Sequence, residues 1–221
     1  MVKAAIFDVD GTLIDSVDLH ALAWHEALLK FGHRAPLAEV RKQIGKGGDQ
    51  LLPVFLSDSD LEEHGADLEQ WQAQHFKDKY MRLIKPFSAV PALLHRTRAS
   101  GLAIAVASSA KKDELDEYLQ IAGIRQLVDV ATTSDDAKHS KPAPDIFKSA
   151  LNKLSITGTE AVAIGDTPYD AEAASKLGIA TIGLLCGGFA ESELRASGCT
   201  SIYQSASGLL AEFDLSPLRV S

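Results

Sequence analysis

The chain has 221 residues, 46% of them hydrophobic and 24% charged, with a formal net charge of -8. That length holds one domain, or one domain carrying an insert. The acidic balance argues against general binding to nucleic-acid phosphates, so any site for an anion must create its own local positive field. Cys186 and Cys199 form neither a disulfide framework nor a metal-ligand spacing, which fits a reduced, cytoplasmic setting. No apolar run is long enough to span a bilayer, and the first residues have no signal-peptide pattern, so no membrane partner is expected.

The first element is a short apolar run, Val2 to Val9, read as a buried strand. It runs into Asp8-Val9-Asp10-Gly11-Thr12, where alternation places Asp8 and Asp10 on one side of the strand's carboxyl end and Gly11 allows an immediate turn. Two carboxylates held together are costly to keep ionised without a cation, and oxygen ligands suit Mg²⁺. A solvated turn is the plainer alternative.

From Ser16 to about Leu83 no strand is evident. Leu19, Leu22, Ala23, Ala27 and Leu28 follow a helical period, as does the stretch around Leu61 to Met81. The division expected is a core of 1–15 plus 85–221 and a helical cap of 16–84, with Pro86 marking the return. Within that cap, His20 and Trp24 are spaced i, i+4 and share a helix face. They are candidates for substrate contact or simply for packing. Ile44-Gly45-Lys46-Gly47-Gly48-Asp49 is a glycine-rich loop in which Lys46 and Gly47 could meet an anion, or merely connect two helices.

Beyond Pro86, apolar β-branched runs recur at Leu102 to Ala107, Val128 to Thr132, Ala161 to Ile164 and Ala180 to Leu185, with a weaker one at Ser201 to Tyr203. Strands alternating with helices predict an α/β doubly wound parallel sheet, whose ligands bind at the carboxyl ends of the strands. Three of those ends carry polar residues: Ser108-Ser109, Lys141 in Lys-Pro-Ala-Pro-Asp, and Gly165-Asp166 through Asp170. Each has a modest reading as a helix cap, solvated lysine or turn acid. Together with Asp8 and Asp10 they form a kit for phosphoryl transfer. Cys186-Gly187-Gly188-Phe189 is expected only to close a turn, and the residues after Leu215 to be loosely ordered.

In these four motifs, in this order, the chain resembles the haloacid dehalogenase superfamily over nearly its whole length. The helical stretch after the first motif resembles the branch of phosphoglycolate phosphatases and β-phosphoglucomutases, with a small α-helical cap on a Rossmann-like core. The resemblance implies Asp8 as nucleophile, Asp10 as general acid and base, and Ser108 and Lys141 as holders of the phosphoryl group. It implies Mg²⁺ held by Asp8, Asp10 through its backbone carbonyl, and Asp166, with Asp170 orienting a water. It places the face of His20 and Trp24 toward the active site, and Lys46, Gly47 and Ser109 stand beside them as candidates for substrate binding. The activity implied is Mg²⁺-dependent hydrolysis of a small phosphorylated metabolite, phosphoglycolate or a sugar phosphate, through an aspartyl phosphate, by a monomer or homodimer. A phosphomutase is the alternative, although no arginine lies in the loop at Gly48 where mutases of this type carry one. A non-catalytic binder of phosphorylated ligands is the more distant one, since binding alone needs no acid placed like Asp10.

Overall fold

The computed structural model describes residues 1–219. The chain opens with β1 (Ala4–Phe7) and a two-residue β2 (Ile14–Asp15). Four helices follow: α1 (Val17–Lys30), α2 (Leu37–Arg41), α3 (Gly48–Leu51) and α4 (Asp58–Lys79). The two-residue β3 (Lys85–Pro86) leads into α5 (Val90–Ala99), β4 (Ala103–Ala107), α6 (Lys112–Ile121) and β5 (Val130–Thr132). Next come α7 (Asp145–Leu154), β6 (Ala161–Gly165), α8 (Pro168–Ser175) and β7 (Ala180–Leu184). The described chain finishes through α9 (Glu191–Ala196), β8 (Cys199–Tyr203) and α10 (Ala206–Ala211).

Six strands form one parallel sheet in the order β5-β4-β1-β6-β7-β8. Its strands are rich in Ala, Val and Ile and buried on both faces, as a sheet covered by helices requires. Side chains alternate across it: Ala5, Phe7, Ile104 and Val106 join one apolar cluster, while Ile6, Ala105 and Ala163 join the other with Phe147 of α7. The strand order reverses at β1, and the register sets Phe7 beside both Val106 and Ile164. The residues following these three strands therefore leave the sheet at one level, the crevice where open α/β sheets take their ligands.

Helices α1 to α4 bury an apolar cluster of their own, including Val17, Trp24, Leu28, Leu51 and Leu68. The chain enters and leaves this segment side by side, because β2 pairs antiparallel with β3, Ile14 opposite Pro86 and Asp15 opposite Lys85. Two-residue strands leave no periodicity, and the sequence reading missed both. In α4, the buried Gly65, Leu68, Gln72 and Phe76 lie on one stripe at spacings of three and four.

Strand limits differ modestly from the expected ones. The first strand stops at Phe7, so Asp8 and Asp10 stand in the turn beyond it, and β8 begins at Cys199. The expectation of a loose end after Leu215 is overturned up to residue 219: Leu218 is fully buried in the main cluster, and Ser216 Oγ accepts from its backbone N–H at 3.2 Å. Val220 and Ser221 lie outside the described residues. Leu218→Ala is expected to cost about 2–5 kcal/mol, the range for emptying a buried leucine site, readable as a lower urea midpoint with an unchanged slope.

Candidate active site

The loop after β1 carries Asp8, 6% exposed, and its Oδ1 accepts from Lys141 Nζ at 2.5 Å. Lys141 is buried to 1% exposure, and its ammonium also donates to the carbonyl of Ala107 at 3.0 Å and lies 2.7 Å from Asp170 Oδ1. Burial would lower the lysine's pKa, but Asp170 and Asp8 outweigh it and push it up, so the ammonium is held.

Beyond β6, Asp166 Oδ1 accepts from Thr12 Oγ1 at 2.8 Å, whereas its Oδ2 is buried without a partner. Asp170 sits in the first turn of α8, where it builds a capping box with Thr167: Asp170 Oδ2 accepts from Thr167 Oγ1 at 2.7 Å and from its N–H at 3.2 Å. The remaining oxygen, Oδ1, is paired with Lys141 by charge but lies outside hydrogen-bond geometry.

Oxygens of Asp8, Asp166 and Asp170 all lie within 4.8 Å of one another, and all three residues are buried. Three carboxylates against one ammonium leave two negative charges in a dry place. Burial and the charges of Asp170 and Asp10 push Asp8 up to about 7 despite Lys141. Burial, Asp8 and Asp170 push Asp166 well above the usual carboxylate range. The set lacks a divalent cation's worth of positive charge, and its donors are the hard oxygens that Mg²⁺ prefers. The orphaned Asp166 Oδ2 supplies a free ligand atom, so these residues fit such an ion.

Two glycines make room for that oxygen. A Cβ on Gly11 would fall 2.4 Å from Asp166 Oδ2, and one on Gly187 would fall 1.7 Å from it. Gly11 also has φ +80, a conformation that favours glycine. The Cys186-Gly187 turn, to which sequence assigned no chemistry, is thus pressed against the acids. Burial and Asp166 push the Cys186 thiol up to about 12, so it stays protonated and donates to the Gly11 carbonyl at 3.0 Å.

Asp10 points elsewhere. Its Oδ1 accepts from Ser16 Oγ at 2.5 Å and meets His20 Nε2 at 3.0 Å. Burial raises its pKa, but His20 and Ser16 more than reverse this and hold it low. Asp10 in turn raises His20 against the effect of burial. The His20 ring stacks on Phe76 with centroids 3.9 Å apart, and Tyr118 Oη lies 3.3 Å from Nε2 while donating to Glu114.

A cavity of about 580 Å³ opens over these strand ends, with Asp8 and Asp10 in its lining and α1, α4 and the 44–49 loop above. Trp24, Lys46, Gly47 and Ser109 also line it. Lys46, however, spends its ammonium on Gln43 Oε1 at 2.6 Å and on the Tyr169 ring, 4.6 Å from the centroid. Gly47 lies against Ser140, whose Oγ a Cβ there would meet at 2.0 Å. The loop is a seam with the sheet domain, closed also by Tyr169 Oη donating to the Lys42 carbonyl at 2.6 Å and the Ser140 N–H donating to Asp49 at 3.1 Å. Ser108 is fully buried and its Oγ accepts from the Ala110 N–H at 3.1 Å, leaving its O–H to donate.

The structure thus brings Asp8, Lys141, Asp166 and Asp170 into contact and sets Asp10 and His20 beside them as a second group. Sequence reading assigned no role to Thr12, Thr167, Tyr118, Glu114 or Gly187. Only Thr167 had a visible signal, a Thr-Pro-x-Asp capping box.

The family model for haloacid dehalogenase-like hydrolases matches residues 5–184. The chain belongs to that family. Among its relatives, a phosphoglycolate phosphatase from Vibrio parahaemolyticus serotype O3:K6 is 29% identical over 219 residues, 95% of each chain. The validoxylamine A 7'-phosphate phosphatase of Streptomyces hygroscopicus subsp. limoneus is 26% identical, covering 83% of this chain and 86% of that protein. The crystal structure of a hydrolase from Pseudomonas syringae matches with a TM-score of 0.87 and 28% identity, over 96% of this chain and 98% of the other. The haloacid dehalogenase-like core is the six-stranded parallel sheet with its flanking helices.

Proposed function

We propose that this haloacid dehalogenase-like hydrolase is a Mg²⁺-dependent phosphatase of small phosphomonoesters, working through an aspartyl phosphate. The observation that carries the reading is a buried carboxylate, Asp8, gripped by Lys141 beside two further acids at the floor of a cavity. Relatives named as phosphatases support it. Their names point to different substrates and do not choose one for this chain.

In the first step an Asp8 carboxylate oxygen bonds to phosphorus while the ester P–O bond breaks, and the leaving alkoxide takes a proton that His20 passes to it through Asp10. In the second, Asp10 takes a proton from water, the water oxygen bonds to phosphorus, and the acyl phosphate bond to Asp8 breaks. Lys141 and the Ser108 hydroxyl balance charge on the phosphoryl oxygens. His20 carries the proton that keeps Asp10 oriented and ionised between steps. Asp8, Asp166 and Asp170 would hold Mg²⁺, which when bound would neutralise phosphoryl charge. Residues 16–84 act as a cap that closes over the ester and excludes water during the first transfer.

Phosphorus NMR of the protein with phosphoglycolate and hexose phosphates, with and without Mg²⁺, tests this. Metal-dependent growth of inorganic phosphate is the expected result. Isomerisation of a sugar phosphate with little free phosphate would replace the phosphatase with a mutase. Mg²⁺ itself is expected to raise the melting temperature. At a hundred times its Kd the shift is about 5–10 °C for a chain of this length. Asp166→Asn abolishes the shift, and a shift of equal size in that variant places the ion elsewhere.

A further inference from the structure

Gln72 is 6% exposed and Trp24 is 7% exposed, both line the cavity, and neither side chain is hydrogen-bonded to the protein among the described residues. Although the residues are largely buried, their polar atoms are not sealed in but open on the cavity, where a carboxamide and an indole N–H without protein partners normally meet a ligand or water. Gln72 interrupts an otherwise apolar stripe on α4, between Leu68 and Phe76, where a leucine would pack as well.

The two side chains stand in sequence above the catalytic floor. His20, in contact with Asp10, stacks on Phe76. One turn farther along α1 is Trp24, and one turn back along α4 is Gln72. A further turn back is Glu69, whose Oε1 a Cβ on Gly48 would meet at 2.7 Å. Each turn is about 5.4 Å, so Glu69 lies roughly 11 Å of helix beyond the Phe76 level. Glu69 has no ion-pair partner among the described residues and lines the cavity with Asp49, which makes the far end negative. Lys111 and Lys138 also line the cavity; like Glu69 they are exposed, and Lys111 acts on Glu69 less strongly than Asp49 does.

We propose that Gln72 and Trp24 bind the hydroxyl groups of a neutral, polyhydroxylated leaving group about five or six carbons long, and that Glu69 disfavours a second anionic group at its far end. Hydroxyls both donate and accept, and so satisfy the carboxamide and the indole together. This rests on the phosphatase reading and narrows its substrates: polyol and sugar monophosphates are favoured over phosphoglycolate and over bisphosphates.

Two esters of equal length test it: glucitol 6-phosphate, with a neutral end, and 6-phosphogluconate, with a carboxylate there. Calorimetry in Mg²⁺ with the Asp8→Asn protein reads binding without turnover. Glucitol 6-phosphate is expected to bind about tenfold or more tightly than 6-phosphogluconate. Adding Gln72→Leu weakens glucitol 6-phosphate about tenfold, the size of one lost hydrogen bond in a dry site. Adding Glu69→Gln narrows the gap between the two esters by a similar factor. In the otherwise unaltered enzyme, Gln72→Leu lowers kcat/KM for glucitol 6-phosphate relative to acetyl phosphate, mainly through KM. Gln72→Asn, which keeps the amide but withdraws it by one methylene, gives the same relative loss if the leucine variant folds poorly. Equal losses on both substrates would make Gln72 structural, and equal or tighter binding of 6-phosphogluconate would overturn the proposal. Absence of acetyl phosphate turnover counts against the phosphatase reading alone, because the binding comparison stands apart from it.

Discussion

Asp8→Asn is expected to lower turnover by about a thousandfold or more, the scale seen when an enzyme loses its nucleophile, while the protein stays folded. The amide cannot form an acyl phosphate. Its loss of charge should cost the fold little, because Asp8 is one acid in excess: Lys141 keeps Asp170 at 2.7 Å and the Ala107 carbonyl at 3.0 Å. The pH dependence of stability gives an independent check. Asp8 is raised from 3.8 to about 7 in the metal-free fold, chiefly by burial. The folded state therefore binds this proton more tightly than the unfolded one, and stability falls as pH rises from about 4 to 7. Asp8→Asn should flatten that fall when melting temperatures are followed in EDTA. Undiminished phosphate release would remove Asp8 from the chemistry, and an unchanged slope would remove it from the excess charge.

Gly187→Ala should be nearly as damaging, although residue 187 is no acid, base or ligand. Its Cβ would fall 1.7 Å from Asp166 Oδ2 and 2.5 Å from its carboxyl carbon. The carboxylate cannot swing freely, because Thr12 holds its other oxygen at 2.8 Å and the residue follows directly on β6, whose last residue, Gly165, pairs with Gly183. Either the 185–187 turn or Asp166 must move. A displacement near 1 Å at such a site costs about a hundredfold in rate, and forced overpacking about 1–3 kcal/mol. Loss of the Mg²⁺-dependent rise in melting temperature would locate the damage at Asp166. Gly65→Ala is the control: its Cβ meets only Leu61 Cδ2 at 3.7 Å, inside a helix where alanine is preferred. An unaltered kcat/KM in Gly187→Ala would mean that the turn yields easily.

Much of the sheet and the acid cluster could be read in advance because both rest on short-range rules. Buried parallel strands are runs of Ala, Val and Ile, and a parallel α/β sheet gathers the residues that follow them. That logic pointed to Asp8, Lys141, Asp166 and Asp170 from three distant stretches. It could not place side chains within the helical segment. Lys46 looked like an anion-binding group, yet Gln43 and Tyr169 take its ammonium, the latter from α8, more than a hundred residues away. Gly187 looked like a turn former, yet its lack of a side chain matters to an aspartate 21 positions earlier. Gln72 had no signal at all, since a glutamine on a long polar helix is ordinary until its burial is known.

The pairing of Ile14 with Pro86 and Asp15 with Lys85 joins the two ends of the helical segment as ladder neighbours, about 5 Å apart. Anything whose ends meet at that spacing could be spliced there without disturbing the strand ends that carry Asp8, Lys141 and Asp166. The buried acid cluster is therefore separable from most of the helical segment, whereas Ser16 and His20, which hold Asp10, belong to it. On the proposed phosphatase reading, a lineage could exchange the helices beyond His20 and acquire a new substrate while keeping Ser16 and His20 on Asp10. A chimera that keeps the sheet and takes another member's helices should take that member's substrate range with them.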